Sequence, residues 1–82
     1  MPKSPLKNIS IKTFREYLRW KGLDYVRTNS GHEIWRKKGL LRPVVFQTHK
    51  DPIPEEIVRN NLKTLGVNAN DYVEFLIMSL YN

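Results

Sequence analysis

The apolar residues fall into blocks whose spacing changes along the chain. From Ile11 to Lys21, Ile11, Phe14 and Leu18 recur three and four positions apart, with Tyr17 beside them. That is the period of a helix buried along one side. Ser10 stands where an N-cap belongs and Gly22 where a terminating glycine belongs. Lys12, Arg15, Arg19 and Lys21 fall mostly elsewhere on the wheel, so the helix carries an apolar face and a basic one. The spacing then shortens. "LDYVRT" (23–28), "HEIWRKK" (32–38) and "PVVFQ" (43–47) are short, rich in β-formers and partly alternating, which predicts three strands. Ile34 and Trp35 take opposite faces of the second. "NSG" (29–31) reads as a turn and "GLLR" (39–42) as a loop. Such short connections favour an antiparallel meander, and Pro43 fits only the first residue of its strand or an edge.

"HKDPIP" (49–54) breaks the sheet. Pro54 suits the first turn of a helix, and Glu55 and Glu56 are favoured there by the helix dipole. Val58, Leu62 and Leu65 supply the buried stripe with Ile57 beside it, and Gly66 ends the element. A last helix restarts at Asn68 or Asn70. Its Tyr72, Val73, Leu76 and Leu80 are helically spaced, but Phe75, Ile77 and Met78 make it apolar almost all round. Surplus apolar surface of that kind marks a protein contact, with a second copy (a homodimer) or another protein as the candidates. The expected architecture is α+β, ordered α-β-β-β-α-α, with a three-stranded antiparallel sheet packed on helices. Residues 1–9 read as a flexible polar lead-in and residues 10–82 as a single domain.

Composition narrows the function classes. The chain has 82 residues and no cysteine, which excludes disulfides and thiolate metal sites. No apolar run approaches the roughly 20 residues of a membrane span, and "MPKSPLKNIS" lacks the apolar core of a signal peptide. A cytoplasmic protein without a membrane partner is expected. The net charge of +6 is unevenly spread: residues 1–50 hold 12 Lys/Arg against 3 Asp/Glu, and residues 51–82 hold 2 against 5. A basic body with an acidic tail end favours a polyanionic partner, because phosphate backbones reward such a patch through counterion release.

Two histidines carry the candidate chemistry. His32 follows the Ser30-Gly31 step at the entrance to the second strand, and His49 ends the third. Each is either a polar strand-end residue or a proton-transfer group; histidine suits the latter because its ordinary pKa of about 6.5 lies near working pH. Gly31 would let a phosphate or ribose approach the backbone. Arg27, Arg36, Lys37 and Lys38 lie on the strands around His32, as phosphate clamps or as solvated strand charges. Lys12, Arg15 and Arg19 would line RNA along the first helix or simply face solvent. Trp20, Tyr25 and Trp35 are expected to pack rather than stack on bases, with Trp35 on the outer sheet face if Ile34 faces the helices.

Four stretches, taken in order, resemble HicA, the small mRNA-cleaving toxin family of HicB–HicA toxin–antitoxin pairs (the YcfA-like family). "FREYLRWKGLDYVRT" resembles its first helix, glycine and first strand. "SGHEIWRK" resembles its Gly-Ser-His step, here ordered Ser30-Gly31-His32. "PVVFQTHKDPIP" resembles its third strand ending in a histidine, and "IVRNNLKTLGVNANDYVEFL" its second helix, Leu-Gly break and C-terminal helix. The second helix departs from the family's Gly-Thr-Leu-Arg-like start, with Pro54-Glu55-Glu56-Ile57 in its place. The resemblance implies a double-stranded-RNA-binding-domain-like fold with an additional short C-terminal helix. It implies an endoribonuclease acting on mRNA, with His32 catalytic, a cyclic phosphate or its hydrolysis product left behind, and a HicB-like antitoxin as partner. Ser30, Gly31, Arg27, Arg36, Lys37, Lys38, Lys12, Arg15 and Arg19 form the candidate RNA-binding set, and His49 is a candidate supporting group. No acidic cluster of metal-site type surrounds His32 in the sequence, so a metal-independent route without a cofactor is expected. The alternative is a non-catalytic RNA-binding module of the same fold.

Overall fold

The computed structural model describes residues 4–81. Its elements are α1 (Ile11–Trp20), β1 (Asp24–Asn29), β2 (His32–Arg36), β3 (Val44–Gln47), α2 (Glu55–Leu65) and α3 (Ala69–Ser79). The chain is therefore α+β with a three-stranded antiparallel sheet ordered β1-β2-β3.

Local signals explain where the helices begin and end. The Ser10 hydroxyl accepts from the Thr13 N–H at 3.1 Å, and the Asp51 carboxylate, forty residues on, accepts from the Ile11 N–H at 3.1 Å. Two of the orphan donors of α1 are thus satisfied, one locally and one by the loop after β3. At the other end Gly22 takes a φ of +87°. Its N–H reaches the Arg19 carbonyl while the Leu23 N–H reaches Leu18, both at 2.9 Å, the paired bonds that close a helix through a left-handed residue. Asn68 caps α3 through the Asn70 N–H. β3 starts at Val44, one residue after Pro43, which has no N–H to give the ladder.

The lead-in departs from the sequence expectation. Leu6 and Ile9 are buried core residues, and Ile9 bridges to Ile53, whose N–H donates to the Ile9 carbonyl at 2.9 Å. Two apolar side chains in a polar stretch are enough to dock it; residues 1–3 lie outside the described residues.

One face of the sheet packs on the helices. Phe14 of α1 meets Phe46 of β3 edge-on at 5.4 Å, and Val44 and Val58 are fully buried. Tyr17 is the hub between α1 and α3. Its ring lies 5.2 Å from Tyr72 and 5.4 Å from Phe75, and its hydroxyl donates to Asp71 at 2.6 Å. Burial, followed by that carboxylate, pushes the Tyr17 phenol well above its ordinary value. Lys21 completes the tie with an ion pair to Asp71 at 3.0 Å. The free edge of β3 is met at Val45 by a side chain: the Asn61 amide of α2 donates to the Val45 carbonyl at 2.9 Å, and its oxygen accepts from the Val45 N–H at 3.4 Å. The amide thereby stands in for a fourth strand.

β2 buries Glu33 and Trp35 and leaves Ile34 half-exposed on the far side. Trp35, expected on the outer face if Ile34 turned toward the helices, is only 1% exposed. The reason is a polar cluster. Arg15 of α1 grips the Glu33 carboxylate with two nitrogens, Nη2 at 2.7 Å and Nε at 3.0 Å, and the Trp35 indole N–H donates to it at 2.7 Å. The Arg19 guanidinium sits 5.3 Å above the Trp35 ring, a cation–π arrangement. No buried side-chain polar atom among the described residues lacks a partner.

Burial pushes the Glu33 carboxyl up, but the Arg15 and Trp35 hydrogen bonds and the Arg15 and Arg19 charges more than reverse this. The net effect holds it below its ordinary 4.5. A folded-state value below the unfolded one adds stability above pH 4.5 that is lost as pH falls through the folded value. Arg15 keeps 40% of its side chain in solvent, so the loss in Glu33→Gln sits low in the charged hydrogen-bond range, about 2 kcal/mol. Thermal unfolding at pH 7 is expected to show a Tm lower by roughly 10 °C. The gap to wild type narrows as the pH is taken below 4.5.

Candidate functional site

The step that carries His32 is a hairpin turn. Asn29 and His32 pair across it, and Ser30 and Gly31 have φ of +51° and +78°. Two successive left-handed residues make the primed turn whose twist suits a two-residue hairpin. Glycine takes this conformation without penalty; Ser30 does so at some cost. The turn is pinned to the end of β3. The Gly31 carbonyl accepts from the Thr48 N–H at 2.9 Å and from the Thr48 hydroxyl at 3.2 Å. The His49 ring then lies over the open face of Gly31, its Nδ1 3.6 Å from where a β-carbon would be.

Register places the neighbours of His32. Directly opposite pairs share a sheet face, so Asn29 on β1 and Gln47 on β3 flank His32 on the outer face. The next row on that face is Arg27, Ile34 and Val45. Arg27 is a diagonal neighbour of His32, about 7–8 Å away between side-chain roots and within reach of a long side chain. Beyond it the pairing slips at Val26. The extra residue puts Tyr25 opposite Trp35 on the inner side and Asp24 opposite Arg36 on the outer. The two rings meet edge-on at 5.8 Å.

The expected RNA-binding set therefore divides into three groups. Arg27, Ser30, Gly31 and His32 gather at the hairpin end of the sheet with His49 and Lys50. Lys12 lies at that end too, because the α1 N-terminus is tied to Asp51 in the same loop. Arg36, Lys37 and Lys38 are at the other end of β2. A strand rises about 3.3 Å per residue, so these three stand roughly 13–20 Å from His32 and cannot hold the same phosphate. Lys37 instead donates to the Lys21 carbonyl at 2.9 Å. Arg15 and Arg19 lie on the inner side of the sheet, one bound to Glu33 and the other over Trp35. They line a shallow cleft with Tyr25 and Thr28.

Asn29, Gln47 and Lys50 join the site without having been singled out from the sequence. The two-residue turn alone identifies Asn29, since it fixes the β1–β2 register. Gln47 depends on the β2–β3 register, which the long 37–43 connection leaves open. Among the described residues no group of three His, Cys, Asp or Glu side chains is placed to hold a metal ion, and no helix is long and apolar enough to cross a membrane. A second exposed surface lies at the end of α3, where Ile77, Met78, Leu80 and Tyr81 are open to solvent, as is Trp20 of α1.

Comparison with known proteins gives no match to a family model, to a curated protein or to a solved structure.

Gly31→Ala tests the turn. The new methyl group meets His49 at ordinary contact distance, so the cost comes from forcing alanine into the left-handed region, about 1 kcal/mol. Thermal unfolding followed by circular dichroism is expected to show a Tm lower by roughly 4–8 °C.

Proposed function

We propose that this chain is a HicA-like toxin of cytoplasmic location, a metal-independent endoribonuclease that cleaves mRNA on a double-stranded-RNA-binding-domain-like scaffold. The observation that carries this reading is the placement of His32. It is exposed on an uncovered sheet face, between two uncharged hydrogen-bonding side chains and diagonal to Arg27. RNA cleavage by this route needs three things: a group that moves a proton at the ribose 2′-OH, cations on the scissile phosphate, and an open approach. His32 supplies the first. Arg27 and Lys50 supply charge on the phosphate, with Lys12 extending the basic surface. Asn29 and Gln47 offer donors and acceptors to ribose or base edges. Deprotonation of the 2′-OH lets that oxygen attack phosphorus. The bond to the 5′-oxygen breaks, that oxygen takes up a proton to become the 5′-hydroxyl of the downstream fragment, and a 2′,3′-cyclic phosphate is left on the upstream one.

In this reading a HicB-like antitoxin neutralises the enzyme. The exposed Trp20, Ile77, Met78, Leu80 and Tyr81 offer apolar area for that partner or for a homodimer. The second reading, a non-catalytic RNA-binding module, is favoured by one specific feature. The primed turn accounts for Ser30 and Gly31 by backbone geometry alone, with no demand from a substrate.

The test is cleavage of a long single-stranded RNA, in EDTA, by wild type and by His32→Ala, both shown to be folded by circular dichroism. Wild type is expected to cut and His32→Ala to be slower by about 10²–10⁴-fold while still binding RNA. Equal cleavage by both removes His32 from the chemistry. Absence of cleavage by either, with binding that weakens steeply as salt rises, replaces the enzyme by the binding module.

A further inference from the structure

We infer that His49 is the second proton-transfer group of the same site, so that His32 and His49 work as a general acid–base pair. This inference rests on the ribonuclease reading above. Strand-breaking by the 2′-OH moves two protons, one off the nucleophile and one onto the departing 5′-oxygen. A single imidazole among Asn29, Gln47 and Arg27 accounts for one of them, and none of those three neighbours is a proton donor of suitable strength.

The fold brings a second imidazole against the turn that carries His32. His49 lies seventeen residues after His32 in the chain and belongs to no strand. The fold nevertheless fixes it against the residue preceding His32. Thr48 anchors that position with two hydrogen bonds to the Gly31 carbonyl, from its N–H and its hydroxyl. The imidazole Nδ1 then comes within 3.6 Å of the vacant β-carbon position on Gly31. Both histidines are exposed, and Gly31, which His49 overlies, is the residue next to His32. The lack of a side chain at Gly31 lets the His49 ring sit directly against the turn. Of the titratable and charged groups, His32 follows Gly31 directly, Lys50 and Asp51 follow His49 in the chain, and Lys12 is next to the Ile11 N–H that binds Asp51. The Asp51 carboxylate is already held by the Ile11 N–H.

The step balances without any co-reactant. One histidine, neutral, takes the 2′-OH proton as the oxygen–phosphorus bond forms. The other, protonated, gives its proton to the 5′-oxygen as the phosphorus–oxygen bond breaks. The products are a 2′,3′-cyclic phosphate and a 5′-hydroxyl, and the pair is left with its protons exchanged. Such a pair is active only while one member is charged and the other neutral, which gives a bell-shaped dependence of rate on pH.

The experiment maps a cut site on long RNA, then follows single-turnover cleavage of a short oligoribonucleotide spanning it, in EDTA, across pH 4.5–9. Wild type, His49→Ala, His49→Gln and His32→Ala are compared, with folding checked by circular dichroism. A second substrate carries sulfur in place of the scissile 5′-oxygen, a leaving group that needs no proton. Both His49 variants are expected to lose about 10²–10⁴-fold on the oxygen substrate and one limb of the bell. The variant lacking the acid is expected to recover on the sulfur substrate; recovery by the His49 variants makes His49 the acid, and recovery by His32→Ala makes it the base. His49 variants within threefold of wild type and with both limbs intact overturn the inference and leave the ribonuclease reading standing. Loss of rate in the His49 variants with no variant recovering on sulfur also overturns it, because neither histidine then protonates the leaving group. A wild type that does not cut overturns the ribonuclease reading, and the pair with it.

Discussion

The carboxylate of Glu33 decides which way the sheet faces. A strand has two faces, and β2 offers Glu33 and Trp35 on one, His32, Ile34 and Arg36 on the other. Apolar logic alone is ambiguous, since Trp35 and Ile34 compete for the core. Arg15 breaks the tie by reaching down from α1 to hold the carboxylate with two nitrogens, and Trp35 donates its indole N–H to the same group. A buried charge with these partners is tolerated; without them it is among the most costly things a small domain can contain. A slip of one residue would reverse every side chain of the strand. The ion pair therefore holds His32 on the open face, although it never touches it.

This dependence also explains what could be read from the sequence. The number and order of elements were legible because their signals are local: Ser10 and Gly22 around α1, Asn68 before α3, Ser30-Gly31 between the first two strands. The direction of β2 was not, because it turns on a contact between Arg15 and Glu33, eighteen residues apart. The docking of Leu6 and Ile9 was hidden for a similar reason. Each is a lone apolar residue among polar ones, and only Ile53, far along the chain, reveals Ile9 as part of the core.

The candidate site divides along the same line. His32, Ser30 and Gly31 stood out because a short turn announces itself. Basic residues were harder to assign, since charge is visible in a sequence but its commitments are not. Arg15 and Arg19 look like surface cations on a helix wheel, yet one is bound to a carboxylate and the other to an indole ring. Arg27 looks like one strand charge among several, yet register alone brings it beside His32. What remains at the hairpin end is a smaller set of groups with a clearer geometry.

The Asn61 amide on Val45 has a consequence for how the molecule associates. An open strand edge is a template for another strand, and a sheet with two open edges can propagate indefinitely. Here one edge is occupied at Val45 by a side chain rooted in a helix, so among the described residues the β1 edge is the more open to pairing. Two copies meeting through that edge would use it up on both sides. A strand arriving at the β3 edge must first displace the amide from Val45, a cost that the β1 edge does not impose.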